Sequence, residues 1–93
     1  MKLHDNTFEV INGKVEGNTF IPLKNGYTVS CGVFSYEYNN GKINHIPSST
    51  LTDKQGKIIH ESEIHDTNNA NKAIKRAKES CIWLAENYDQ FIE

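Results

Sequence analysis

The sequence of 93 residues has little of what most specialised classes of protein require. It has two prolines and two cysteines, and Cys31 and Cys81 lie far apart without forming a CxxC motif. No apolar run reaches the ~20 residues that a membrane-spanning helix needs. The first ten residues, MKLHDNTFEV, lack the apolar core of a signal peptide. We therefore expect a cytoplasmic protein with both thiols free and no membrane association.

A large excess of charge is also missing. Ten basic residues stand against twelve acidic ones, which gives a net charge of −2. No overall positive field attracts phosphate backbones, which disfavours nucleic acid as a partner. A chain this short buries only about 60–65% of its unfolded surface. We therefore expect one domain, residues 1–93, without a second domain or a deep substrate cleft.

Turn-forming pairs divide the first two-thirds of the chain into short pieces. Asn-Gly pairs at 12–13, 25–26 and 40–41 accept the positive φ angles of type I′ hairpin turns, and residues 53–56 suit a type I turn closed by glycine. Pro22 and Pro47 lack an amide donor, so we expect their strands to end there or to lie at an edge. The segments between the turns predict strands near Thr7–Ile11, Thr19–Leu23, Tyr27–Tyr38, Lys42–Ile46, Ser49–Thr52 and Lys57–Glu61. Residues 1–5 are expected to be frayed.

From Asp66 onwards the apolar residues follow a helical period. The stripe consists of Ala70, Ile74, Ala77, Cys81, Leu84, Tyr88 and Phe91. Asp66, Thr67 or Asn68 is expected to cap its start. The predicted fold is α+β: an antiparallel β-meander of four to six strands over about 7–61, with one long C-terminal amphipathic helix over about 67–90 packed on one face. A coiled coil or homodimer is the alternative, so the oligomeric state stays open between monomer and homodimer.

The segment IIHESEIHD, residues 58–66, differs by one position from the helical zinc motif His-Glu-x-x-His. Its histidines, His60 and His65, are five residues apart. On a helix this separation turns the side chains about 140° away from each other, and on a strand it places them on opposite faces. We therefore predict no metal site, and we interpret the segment as a strand end followed by the approach to the helix.

No other motif indicates catalysis. Cys81 belongs to the helical stripe and Cys31 alternates with other apolar residues, so both are expected to be small core residues with protonated thiols. The sequence contains no glycine-rich phosphate loop and no readable Ser-His-Asp arrangement. We therefore predict that the protein is not an enzyme and needs no cofactor.

Trp83 is the first candidate contact residue. It points roughly 140° away from the apolar stripe and shares its helix face with Lys72, Arg76 and Glu79, while Ile82 flanks it. An exposed tryptophan on a polar helix face is typical of a protein interface. The alternative is that a loop, or the segment around Phe8, covers it. The basic residues also lie in the first half of the helix, where the helix dipole disfavours them, which indicates a possible role towards a partner.

Phe34, Tyr36 and Tyr38 occupy even-numbered positions of one predicted strand, so they lie on one face of it. The apolar residues before Gly32 occupy odd-numbered positions, which belong to the other face. A β-bulge at Gly32 would keep all of them in the core. A regular strand would instead place the three aromatic side chains on the open face of the sheet. There Tyr36 and Tyr38 could contact a protein partner, or could stack on the bases of a single-stranded nucleic acid together with the basic turn of the helix.

The layout of residues 7–88, together with eleven asparagines and many lysines, resembles small inhibitor proteins that phages carry against bacterial defence, such as anti-CRISPR proteins. The resemblance implies stoichiometric binding to a host complex in the bacterial cytoplasm, without catalysis. Our leading hypothesis is a protein-binding module of this inhibitor type that uses Trp83, Ile82, Lys72, Arg76 and Glu79, with Tyr36 and Tyr38 as a second surface. The alternative is a single-stranded nucleic-acid-binding domain.

Overall fold

The computed structural model of the protein describes residues 8–92. Within this range, six strands precede one long helix, which confirms the predicted α+β class. The elements are β1 (Glu9–Ile11), β2 (Lys14–Glu16), β3 (Asn18–Pro22), β4 (Thr28–Glu37), β5 (Ile43–Thr52), β6 (Ile58–Glu63) and α1 (Ala70–Asn87), with 3₁₀ turns at Lys24–Gly26 and Tyr88–Phe91. The predicted start of the first strand at Thr7 and the expectation for residues 1–5 lie outside the described residues.

The last four strands form an antiparallel sheet in the order β3-β4-β5-β6, so each strand pairs with its neighbour in sequence as a meander predicts. β1 and β2 form a separate two-stranded hairpin. The sequence prediction missed β2. This strand has only three residues, and Val15 is its one buried side chain. A single apolar residue between charged neighbours is too short an alternation to indicate a strand.

Proline at position 47 does not end its strand, contrary to our expectation. β5 runs without a break from Ile43 to Thr52, so the predicted strands Lys42–Ile46 and Ser49–Thr52 are one. The Pro47 carbonyl accepts a hydrogen bond from the Ile64 amide at 2.9 Å. The amide and carbonyl of one residue point to the same neighbour in an antiparallel ladder. The nitrogen of Pro47, which carries no hydrogen, therefore points away from β4 and towards the chain that follows β6. No hydrogen bond between β4 and β5 is lost at this position.

The pairing of β5 with β6 contains a β-bulge. Leu51 pairs with His60, but Thr52 pairs with Ile58, so Ile59 is an extra residue on β6. Beyond the bulge the register is regular up to Ser48 and Glu63. β6 therefore ends two residues later than the predicted strand Lys57–Glu61, and its side chains alternate between the two faces of the sheet.

The turns between the strands divide into correct and incorrect predictions. Asn12 and Gly13 both have positive φ, 52° and 81°, as the predicted type I′ hairpin turn requires. At the 40–41 pair only Gly41 has positive φ, and the Gly41 amide bonds to the Tyr38 carbonyl at 2.9 Å. This connection is therefore a three-residue loop rather than a type I′ turn. Asn25 and Gly26 also both have positive φ, 63° and 82°, as predicted for this pair, so the dihedral angles of Asn25 are not helical. Pro22 ends the edge strand β3, as predicted.

The helix begins later than predicted. Asn69 is its N-cap, and the side-chain oxygen of Asn69 accepts a hydrogen bond from the Lys72 amide at 3.0 Å. Thr67, a predicted cap, instead exchanges backbone hydrogen bonds with His45 on β5 at 2.8 and 3.0 Å. The chain after β6 therefore continues beside β5 before it turns into α1, and tertiary pairing moves the helix start to Ala70.

α1 covers one face of the sheet with its predicted apolar stripe, and the odd-numbered residues of β4 and β5 face it. Small residues in the stripe allow the helix to approach the sheet closely. The helix packs within its own chain, so the coiled-coil alternative is wrong. Cys31 and Cys81 are free and buried, as predicted. The contiguous buried core consists of Phe8, Val15, Ile21, Val29, Cys31, Leu51, Ala77, Cys81, Leu84 and Ala85.

The β1–β2 hairpin packs on the same side of the sheet, next to α1. The Val15 amide donates a hydrogen bond to Ser35 Oγ at 2.9 Å, and Ser35 Oγ lies 2.6 Å from His45 Nδ1. Ser35 and His45 are paired across β4 and β5 on the face that α1 and the hairpin cover. The opposite face, formed by the even-numbered residues of these strands, is called the open face below.

Candidate functional site

A groove separates α1 from the edge strand β6 and is called the α1–β6 groove. Its volume is about 520 Å³. The strand side contributes Ser62 of β6 and Ile64, the first residue after this strand. The helix side contributes side chains spaced three, four and seven positions apart, which is the spacing that places residues on one side of a helix. These helix residues are Arg76, Glu79, Ser80 and Trp83.

Trp83 lies at this groove with 51% of its surface exposed. The ring of Phe91 packs edge-on against it, with 6.4 Å between ring centroids. Phe91 in turn stacks on His60 of β6 at 4.0 Å. Phe8 does not cover Trp83, because its ring lies 5.8 Å from the amino group of Lys78, on another side of the helix. The alternative of a covered tryptophan is therefore wrong, since Phe91 supports one side of the ring and leaves half of it exposed.

The structure brings only some of the predicted helix residues to the groove. Arg76 and Glu79 line it together with Trp83, and the Arg76 guanidinium donates a hydrogen bond to the His65 carbonyl at 3.1 Å. Lys72 is exposed but lies outside the groove lining. Ile82 is half-buried and packs against the core. The helical spacing of the sequence predicted that Ile82 flanks Trp83, but it did not predict that the Ile82 side chain packs against the core.

The open face of the sheet carries the three alternating aromatic residues. β4 pairs with β5 in one regular register from Thr28 to Glu37, so the bulge considered at Gly32 is absent from this strand. Phe34 is 65% exposed and Tyr38 is 47% exposed. The rings of Phe34 and Tyr36 stack with centroids 5.9 Å apart, and Tyr36 meets Tyr38 edge-on at 5.2 Å. The interpretation with aromatic residues on the open face is therefore confirmed.

Hydrogen bonds fix the tyrosine end of this row. The Tyr36 hydroxyl lies 3.1 Å from the Tyr38 hydroxyl and donates to Asp66 Oδ2 at 3.1 Å. Asn44 donates to the same oxygen at 2.9 Å. The hydrogen bond with Tyr38 is the main reason why the pKa of Tyr36 is raised above its ordinary value. Asp66 is thus held on the open face instead of capping α1, a role that its place in the sequence did not indicate.

The charges of the two sides differ. Strands β3 to β6 contain neither lysine nor arginine. Glu61 pairs with Thr50 and Glu63 pairs with Ser48, so both carboxylates lie on the open face. The basic residues of the first half of α1 lie on the other side of the sheet. The predicted nucleic-acid site needs tyrosines and basic residues on one surface, and the structure separates them.

The histidines of the IIHESEIHD segment do not come together. His60 lies in β6 on the helix side, where its Nε2 is 2.9 Å from Ser62 Oγ. His65 is exposed and follows the strand. Among residues 8–92, no three His, Cys, Asp or Glu side chains are grouped so that they could hold a metal ion.

The buried polar contacts between the elements were not predicted. Ser35 and His45 form the short contact described above, and burial lowers the pKa of His45. The Ser35 hydroxyl is occupied by both Val15 and His45, so the pair attaches the hairpin to the sheet. Cys31 and Cys81 form the second pair, and the hydrogen bond that the Cys81 thiol donates to Cys31, together with burial, raises the pKa of the Cys81 thiol. That thiol is therefore protonated and unreactive at neutral pH.

Comparisons with protein-family models, with curated proteins and with solved structures gave no match to the chain. In the described part of the chain, α1 is not apolar enough over its length to cross a membrane, and neither 3₁₀ turn offers such a span.

Proposed function

We propose that the chain is a non-enzymatic protein-binding module and that the α1–β6 groove is its main contact surface. The observation that carries the proposal is the half-exposed Trp83 beside a groove that also contains Arg76 and Glu79. Tryptophan and arginine are enriched among the residues that dominate binding energy at protein interfaces. Of the five helix residues proposed from the sequence, three line this groove: Arg76, Glu79 and Trp83.

The chemistry of the groove suits an extended polypeptide. Trp83 and Ile64 supply apolar surface, and Arg76 and Glu79 supply one charge of each sign. β6 ends the described sheet, so its outer backbone edge is not paired within the sheet order. A partner segment along this edge would gain backbone hydrogen bonds while alternate side chains enter the groove.

The resemblance to phage inhibitor proteins suggests the class of partner. Such an inhibitor blocks a host defence complex by occupying part of its surface, which requires a stable exposed contact area and no catalytic group. A small two-layer fold with a contact groove meets that requirement. The composition rich in asparagine and lysine supports the same origin in a phage or mobile element. Binding of single-stranded nucleic acid is less well supported, because the tyrosines and the basic helix turn lie on opposite sides of the sheet.

The binding proposal is tested by affinity capture of tagged protein from bacterial lysate, with and without nuclease. Wild type is compared with Trp83→Ala and with Ile11→Ala, a matched removal of an exposed apolar side chain on the hairpin. We expect a protein partner that survives nuclease, is retained by Ile11→Ala and is lost with Trp83→Ala. Equal capture by a folded Trp83→Ala variant would show that the groove is not the contact surface.

The inhibitor part is tested separately in bacteria that restrict a phage through a nuclease-based defence complex. Expression of the wild-type chain should raise the plating efficiency of the restricted phage, and Trp83→Ala should not. Unchanged plating across several such systems, despite captured partners, would contradict the inhibitor proposal and leave the binding proposal standing.

A further inference from the structure

The open face holds a cleft on the opposite side of the sheet from the α1–β6 groove. Its volume is about 180 Å³, and its lining residues are Phe34, Ile46, Ser48, Glu61 and Glu63. The sheet register explains the arrangement. Phe34 pairs with Ile46, and Ser48 pairs with Glu63, so an aromatic wall and an acidic wall lie on adjacent strand pairs.

We propose that this cleft receives an arginine side chain from a basic segment of a partner protein, and that the open face is a second binding surface of the chain. The proposal does not depend on the α1–β6 groove, because it uses other side chains on the other face. If the groove proposal fails, this one can still hold, and the reverse is also true.

The charge of the face selects a cation. Glu61 and Glu63 place two carboxylates on one side of the cleft, and Asp66 adds a third acidic group further along the open face. Because strands β3 to β6 carry no lysine or arginine, the sheet supplies no opposite charge of its own. A partner with basic residues would be attracted to this face, whereas the phosphates of a nucleic acid would be repelled.

The shape of the cleft favours a guanidinium. Arginine is planar, forms paired hydrogen bonds with carboxylates and stacks on aromatic faces. Phe34 offers such a face, since it is 65% exposed, and its stacking on Tyr36 holds the ring in place. A cation over an aromatic ring is attracted to its electron-rich face, which adds to the hydrogen bonds with the carboxylates. The cleft combines both kinds of contact within the reach of one side chain.

Gly32 keeps the neighbouring part of the open face free of side chains. It pairs with Ser48 on one side and with Asn18 on the other. A Cβ atom at this position would meet only Asn18 Cβ, at the ordinary distance of 3.9 Å. The glycine is therefore not required by packing. The space above it allows the backbone of a bound segment to approach the sheet next to the cleft.

The test uses the peptide acetyl-Arg-Gly-Arg-Gly-Arg-amide, titrated into ¹⁵N-labelled protein and followed by amide chemical shifts. The control peptide replaces every arginine with citrulline, which has nearly the same shape and no charge. We expect the arginine peptide to shift the amides of Ser48, Glu61 and Glu63 and to bind at least about tenfold more tightly than the citrulline peptide. Equal binding of both peptides, or no shifts at these residues, would overturn the proposal.

Variants then locate the contact. Glu61→Gln/Glu63→Gln should weaken the arginine peptide about tenfold or more, and Phe34→Ala should weaken it less. Glu9→Gln/Glu16→Gln is the matched control, because it makes the same charge change at a paired position of the hairpin. Its affinity should equal that of wild type. Wild-type affinity in the Glu61/Glu63 variant, with unchanged circular dichroism, would refute the cleft.

Two further titrations separate other occupants. Oligothymidylate should leave the amides of the cleft unshifted, and a shift there would overturn the proposal in favour of nucleic acid. Light scattering without peptide should give the same mass for wild type and for Glu61→Gln/Glu63→Gln. A dimer that is lost in that variant would show that the face binds the basic helix of a second copy, and would also overturn the proposal.

Discussion

Ser49 on β5 and Ser80 on α1 form a hydrogen bond with 2.6 Å between their hydroxyl oxygens. Ser49 is 1% exposed, so this bond is a buried polar contact between helix and sheet. It lies directly beside the α1–β6 groove, which Ser80 also lines. The helix wall of the groove is therefore attached to the sheet by a specific bond as well as by apolar packing.

We predict that Ser80→Ala lowers the free energy of unfolding by about 1–3 kcal/mol, because it leaves the buried Ser49 hydroxyl without this partner. The double variant Ser49→Ala/Ser80→Ala should cost less than the sum of the two single variants, since both polar groups are then removed. Urea unfolding of the four proteins measures this. Additive losses would show that the two hydroxyls do not interact.

The stability of the protein should depend on pH through His45. Burial lowers the pKa of this imidazole below its ordinary value of 6.5, so the unfolded chain binds the proton more readily than the folded protein does. The stabilisation is complete above pH 6.5 and is lost progressively as the pH falls below that value towards the folded pKa.

The measurement is urea unfolding at about pH 7.5 and at about pH 5. His45→Asn should show a smaller loss of unfolding free energy between the two pH values than wild type. His65→Asn, which removes an exposed imidazole, serves as the control and should lose as much as wild type. An unchanged loss in His45→Asn would assign the pH dependence to other groups.

Two glycines should respond oppositely to alanine. Gly32 lies in β4 without positive φ and with room for a Cβ atom, so Gly32→Ala should be neutral or should raise the free energy of unfolding by up to about 1 kcal/mol. Gly26 has φ +82°, and a Cβ atom there would lie 2.7 Å from Lys54 Cβ. Gly26→Ala should lower the free energy of unfolding by about 1–2 kcal/mol or more. Thermal unfolding of both variants measures the difference, and a destabilised Gly32→Ala would show that the residue is packed more tightly than described.

The class of fold and most of its elements were predictable, because they depend on local signals. The helical stripe around Ala77, Cys81 and Leu84 and the positive φ of Asn12 and Gly13 follow from spacing and residue type. The start of the helix was not predictable from caps alone. Thr67 and Asp66 are both good capping residues, but Thr67 pairs with β5 and Asp66 bonds to the open face.

The candidate surfaces were predictable only in part, for a similar reason. Helical geometry placed Trp83, Arg76 and Glu79 on one side of α1, and the structure agrees. The other wall of the groove comes from Ser62 and Ile64, which the sequence separates from Trp83 by about twenty residues. The acidic wall of the open-face cleft likewise depends on sheet register, which single residues do not specify. Contacts of this kind become visible only when the strands are paired.

The bulge at Ile59 determines which side chains of β6 face α1 and which lie on the open face. It therefore decides the chemistry of both surfaces. If regular pairing continued from Thr52 and Ile58 without a bulge, Ile59 would pair with Leu51. Glu61 and Glu63 would then turn towards α1, and Ser62 would turn to the open face. The bulged position of Ile59 thus places the carboxylates on one side of the sheet and Ser62 on the side of the groove. The two surfaces are therefore set together by the bulge: a regular pairing of Ile59 with Leu51 would exchange their side chains in one step, whereas point substitutions can only adjust them one by one.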